Sequence, residues 1–157
     1  MNSQTDKPKV LIIGVGNEYR GDDAFGLLVA RTLKTKVATS VAVSEHHGEG
    51  ASLMEAWQGY ETVILIDAIL SGVKPDVPVR IDATQVRIPA GLFHHSTHQF
   101  GVAEAIETAR ALGRLPQKLL IFGLPGESFE LGQSISKSVS LQVERVAALV
   151  VTELAAP

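Results

Sequence analysis

Two adjacent carboxylates, Asp22 and Asp23, follow the segment Val10-Leu-Ile-Ile-Gly-Val-Gly-Asn-Glu-Tyr-Arg-Gly21, in which an apolar strand runs into a glycine turn and a helix begins beyond it. The segment nearly spells a dinucleotide-binding turn, but Tyr19 stands where the third glycine belongs, and both aspartates face any phosphate with like charge. A cation suits the turn better than an anion. Aspartate is also favoured at a helix N-terminus, where it accepts from unpaired amides and complements the dipole, so one of the pair is expected to cap. Two caps are unnecessary, and neighbouring like charges repel unless a cation or donor lies between them.

Asp67 closes the apolar run Val63-Ile-Leu-Ile, where a bare carboxylate costs free energy without a partner. Three of the five histidines fall in Phe93-His-His-Ser-Thr-His-Gln-Phe-Gly101. Ser96 and Thr97 read as helix-entry residues, which leaves His94 and His95 in a loop and His98 nearest the helix start. No glutamate stands where His-Glu-x-x-His would need it. Asp23, Asp67 and His98 thus form a carboxylate, carboxylate, imidazole set suited to a borderline divalent ion such as nickel, zinc or manganese. The same groups could equally serve as general acid and base with no metal.

These residues need elements to carry them. Val10 to Gly14 reads as a buried strand and Ala24 to about Thr35 as a helix with Phe25, Leu28, Val29, Thr32 and Leu33 on one face. A strand around Ser40 to Ser44, a helix from Gly50 to Trp57 and a strand from Thr62 to Ile66 continue the alternation. Val79 to Ile81 suggests a short strand of open direction, followed by a helix from about Gln99 to Leu112, a strand from Lys118 to Gly123 and a closing helix from Ser136 to Leu154. The pattern predicts a three-layer α/β/α sandwich around a mostly parallel, twisted five-stranded sheet, with its ligand site beyond the carboxyl ends of the strands. Asp22 and Asp23 follow strand one there, Glu45, His46 and His47 follow strand two, and Asp67 ends strand three.

At 157 residues one domain is expected, with the polar Met1–Pro8 as an extended or disordered tail. A net charge of -3 supplies no basic field for nucleic acid or anionic lipid, and the absence of cysteine removes thiolate ligands and nucleophiles. With neither a signal core nor an apolar run long enough to span a bilayer, the expectation is a cytoplasmic protein.

Four motifs in order resemble one family, the nickel-iron hydrogenase maturation proteases. Gly14-x-Gly16-Asn17 followed by Asp22-Asp23 and Gly26 is similar to its opening motif, Ile66-Asp67-Ala68 to its central strand end, and Ser96-x-His98-x-x-Gly101 to its histidine loop. Gly123-x-x-Gly-Glu-x-Phe129-x-x-Gly132 with Ser136 is similar to its C-terminal signature. The resemblance implies an endopeptidase that removes the C-terminal extension of a nickel-loaded hydrogenase large-subunit precursor. It implies nickel supplied by that precursor, no organic cofactor, and a monomeric enzyme. It maps both the metal contacts and the catalytic roles onto Asp23, Asp67 and His98, and leaves Asp22 as a cap or a support for that triad. Asn17, Asp22, Glu45, Gly48 and Gly50 are expected to contact substrate. Two departures stand out: Glu45-His46-His47-Gly48 replaces the family's Asp-Gly-Gly-Thr, and Ala24 stands where many members carry glycine. The rival expectation is a nucleotide or small-molecule binding module that uses the glycine turn, and a further one is a peptidase-like protein acting on another peptide.

Overall fold

The computed structural model describes residues 8–70, 77–94 and 99–156. Strands β1 (Val10–Val15), β2 (Val41–His46), β3 (Thr62–Ile69), β4 (Val79–Asp82) and β5 (Lys118–Pro125) form one sheet in the order β2-β1-β3-β5-β4. All neighbours are parallel except β4 and β5, which settles the open direction of the Val79 strand as antiparallel. Side chains alternate across the sheet as the two-residue period demands. Leu11, Ile13, Val63, Leu65, Leu119 and Ile121 face one layer, built from α2 (Gly50–Trp57) and α3 (Val102–Ala111). Ile12, Ile64, Ile66, Leu120 and Phe122 face the other, built from α1 (Phe25–Leu33), α4 (Lys137–Ser140) and α5 (Val143–Ala155). The three-layer sandwich and mostly parallel sheet are those the sequence predicts.

Helix α1 lies close on the ends of β1 and β3, and Gly26 permits it: a Cβ there would fall 2.2 Å from the Ile66 carbonyl oxygen and 2.4 Å from that of Val15. Only a residue without a side chain lets the helix and strands approach so closely. Helix α2 starts where predicted because Glu49 caps it, accepting from the amides of Ala51 and Ser52 at 2.9 and 2.8 Å.

Several boundaries differ from expectation, each for a visible reason. Strand β3 continues to Ile69 because β5 pairs with it as far as Pro125, so Asp67 lies inside the strand rather than at its end. Likewise β2 runs to His46, which puts Glu45 and His46 in the strand instead of the loop. A one-turn 3-10 helix, Gly21–Ala24, precedes α1. Helix α3 begins at Val102 because Gly101 is extended. The closing helix is broken into α4 and α5 at Leu141 and Gln142, although Val139, Val146 and Val150 stay on one buried face.

Candidate active site

Beyond β1 the chain must reverse, and Asn17 makes the turn by accepting the Tyr19 amide on its side-chain oxygen at 2.9 Å. The 3-10 turn that follows sends Asp22 and Asp23 in different directions. Asp22 is fully buried and accepts from the amides of Glu127, Ser128 and Ser136 at 2.7, 3.1 and 2.7 Å, and from the Ser136 hydroxyl at 2.7 Å. Burial pushes its carboxyl up, but the hydroxyl and amide of Ser136, with the amides of Glu127 and Ser128, outweigh it and hold the group below the usual carboxylate range. The expected helix cap is thus corrected. Neither Arg20 nor Ala24, the capping positions of the two local helices, makes a side-chain cap bond, and the amides that Asp22 satisfies belong to chain more than a hundred residues away.

Asp23 turns inward to the cleft that also receives Asp67. The pairing of β1 with β3 ends at Gly14 and Ile66, while β3 stays paired with β5, so Asp67 is the first β3 residue to open on the gap that β1 leaves. β1 pairs with β2 on one side and β3 on the other, which makes this gap the topological switch point, where open α/β sheets hold their ligands. Both carboxyls are buried, Asp23 at 6% and Asp67 at 5% exposure. Burial raises the Asp67 carboxyl well above its ordinary value, and the charge of Asp23 raises it further. Asp23 is raised to about 6 by burial, against the opposing pull of the Asn17 amide and the Arg20 guanidinium. Two buried carboxyls that share a cleft, both shifted upward, suit acid–base work on one substrate. A bound cation would neutralise them equally well.

His47, Gly48 and His94 line the same cleft, together with Gly101, Val102 and Ala103 at the start of α3. His94, expected in a loop, is half-buried and stacks on Phe129 with ring centroids 4.3 Å apart and planes 5° from parallel. Its only sequence signal is the apolar Phe93 before it, which bridges to Ile69 of β3. His98 and His95 lie outside the described residues. Among the described residues no three metal-ligating side chains form a cluster. His46 accepts the Gly48 amide on Nδ1 at 2.9 Å, which leaves the ring proton on Nε2 to bond the Ser52 hydroxyl at 3.1 Å. This ring is a structural latch.

The other expected substrate contacts divide. Gly48 lines the cleft, whereas Gly50 is packed against Phe100: a Cβ on Gly50 would fall 2.1 Å from the Phe100 ring, and its amide bonds the Phe100 carbonyl at 2.8 Å. Asn17 and Glu45 line a neighbouring groove, where Glu45 accepts from Arg31 at 2.8 Å and Lys34 at 3.2 Å. Asp22 is committed to its tether.

Seven amides of the first turn are already spent. Those of Gly16, Asn17, Tyr19, Arg20, Gly21, Asp22 and Asp23 donate to His46, Asp23, Asn17, Asn17, Gln133, Ser128 and Arg20 respectively. An anion cradle needs such groups pointing at the ligand. The geometry therefore opposes the nucleotide-binding alternative.

Comparison with known proteins agrees. The family model described as hydrogenase maturation protease matches residues 27–153. The hydrogenase expression/formation protein HupD of Rhodobacter capsulatus is 29% identical over 151 residues, covering 94% of this chain and 72% of that protein. HupD of Thiocapsa roseopersicina is 25% identical over 139 residues, 87% of this chain, which spans only 63% of that relative's length. Among solved structures, the [NiFe] hydrogenase maturation protease HybD from Thermococcus kodakarensis superposes with a TM-score of 0.71 at 28% identity, covering 94% of this chain and 99% of that one. On the span of the match and the shared architecture, the chain belongs to the hydrogenase maturation protease family.

Proposed function

We propose that this chain is an endopeptidase that removes the C-terminal extension of a nickel-loaded hydrogenase large-subunit precursor. The observation that carries the reading is the buried pair Asp23 and Asp67 at the switch point between β1 and β3, in a chain of this family. Desolvation leaves the pair short of positive charge, and carboxylate oxygens with an imidazole nitrogen suit nickel. Nickel arrives as part of the substrate, and Asp23, Asp67 and His98 recognise it before the peptide is cut. Burial favours the protonated form of both carboxyls in the free enzyme; on meeting nickel they bind it as carboxylates, and one of the two takes the proton of the attacking water and passes it to the leaving amide nitrogen. The start of α3, whose first amides lack intrahelical partners, faces the cleft and stabilises negative charge on the carbonyl oxygen. In the same reading the enzyme acts as a monomer in the cytoplasm; no helix among the described residues is long and apolar enough to cross a membrane.

The test is incubation of the purified chain with nickel-loaded and nickel-free large-subunit precursors, reading the mass of the large subunit. The loaded precursor should lose its C-terminal peptide and the nickel-free one should remain whole. Equal cutting of both would defeat nickel recognition, and no cutting of either would defeat the activity.

A further inference from the structure

A second concavity adjoins the carboxylate cleft and shares Gly16 and His47 with it. Tyr19 and Leu131 stand on its walls, each 67% exposed, with Leu27 lining it from α1. Single exposed apolar residues are ordinary, but these two come from distant parts of the chain and are held in place. The Gly132 amide donates to the Tyr19 carbonyl at 2.7 Å, the Gly21 amide to the Gln133 carbonyl at 3.0 Å, and the Asp22 carboxylate ties the same segment at Glu127, Ser128 and Ser136. Two solvent-facing apolar side chains on fixed backbone are already arranged for a partner, so little ordering entropy remains to be lost on binding.

Charge says what kind of partner. Arg31 bonds Glu45 at 2.8 Å and Glu18 at 3.4 Å. On the lining the acids Glu18 and Glu45 are balanced in formal charge by Arg20 and Arg31. The groove offers apolar surface without net charge. A peptide whose scissile bond lies at Asp23 and Asp67 can leave the cleft past Gly16 and His47, directly into it.

We propose that this groove is the specificity subsite of the enzyme: Tyr19, Leu27 and Leu131 receive an apolar side chain of the precursor a few residues from the cleaved bond. The inference rests on the peptidase reading above and extends it to the choice of precursor. Its test is steady-state cleavage of a nickel-loaded precursor by the wild-type chain, Tyr19→Ala, Leu131→Ser and the remote control Leu141→Ser, whose side chain is equally exposed on the far segment between α4 and α5. KM should rise about tenfold or more for the two groove variants, with kcat within about twofold, as loss of an apolar contact implies. Leu141→Ser should match wild type, and all three should keep the wild-type Tm because the side chains are exposed. Wild-type KM in both groove variants overturns the inference while leaving the peptidase reading intact. A wild-type chain that cuts no precursor overturns both.

Discussion

Asp22 and Asp23 are neighbours in sequence and nearly equal in burial, at 0% and 6% exposure, yet the affinities of their carboxyls for a proton are shifted in opposite directions. Asp22 faces three amides and a hydroxyl, which keep it ionised and make it the knot between the first turn and the segment leading to α4. Asp23 faces a cleft shared with another carboxyl, and its proton is held to about pH 6. Burial alone therefore does not set the charge of a carboxyl; the count of donors around it does. One carboxyl is tied into the fold and the other opens on the cleft, within a single 3-10 turn.

That contrast can be broken by experiment, and the largest effect should fall on activity. Asp67→Asn or Asp23→Asn should slow release of the C-terminal peptide by about 10²-fold to 10⁴-fold, because a proton donor or acceptor is lost while the shape stays. Wild-type turnover in either variant, measured by mass spectrometry of the precursor, would remove the pair from the chemistry.

Stability should move in opposite directions at the two sites. Asp22→Ala strands the amides of Glu127, Ser128 and Ser136 and should cost about 4 kcal/mol, seen as a lower midpoint in urea. Asp23→Asn should instead stabilise the protein at pH 7, by up to about 3 kcal/mol, since the shift from 3.8 to about 6 is the free energy of ionising a buried group.

The pH dependence follows with sign. Between pH 4 and 6 the folded protein holds the Asp23 proton more tightly than the unfolded chain does, so this group's contribution falls as pH rises through that window. Asp22 behaves conversely: its contribution is present above the ordinary carboxylate value and is lost as pH falls through its lowered folded value. Urea midpoints from pH 3 to 8 should therefore show the Asp23→Asn advantage growing with pH and the Asp22→Ala deficit shrinking below pH 4. The smallest effect belongs to Phe129→Leu, which removes the stack on His94 and should cost about 1 kcal/mol in the same assay.

Much of the framework was legible from apolar period alone. Val10–Val15, Thr62–Ile69 and Lys118–Pro125 are buried on both faces and read as continuous apolar runs. Gly50–Trp57 came out with its bounds unchanged. The misread ends share a cause. Period measures burial, whereas the end of a strand depends on how far its neighbour continues; β5 carried β3 past Asp67, which a sequence reader takes for a stop.

At the site the sequence could name two carboxylates, Asp23 and Asp67, that the fold brings to one cleft, because a charge beside an apolar run must meet something. It could not divide Asp22 from Asp23. Adjacent residues of one type carry the same local signal, and their donors lie more than a hundred positions apart along the chain. Nor could it tell that His94 would stack on Phe129, or that Gly50 would be spent on packing Phe100. Composition, period and turn chemistry are properties of neighbours in sequence, and they fixed the layers and the edge at which chemistry gathers. Ionisation and recognition depend on the groups around a side chain in space, and only the folded sheet, by bringing β1, β3 and the segment before α4 to one edge, decided those.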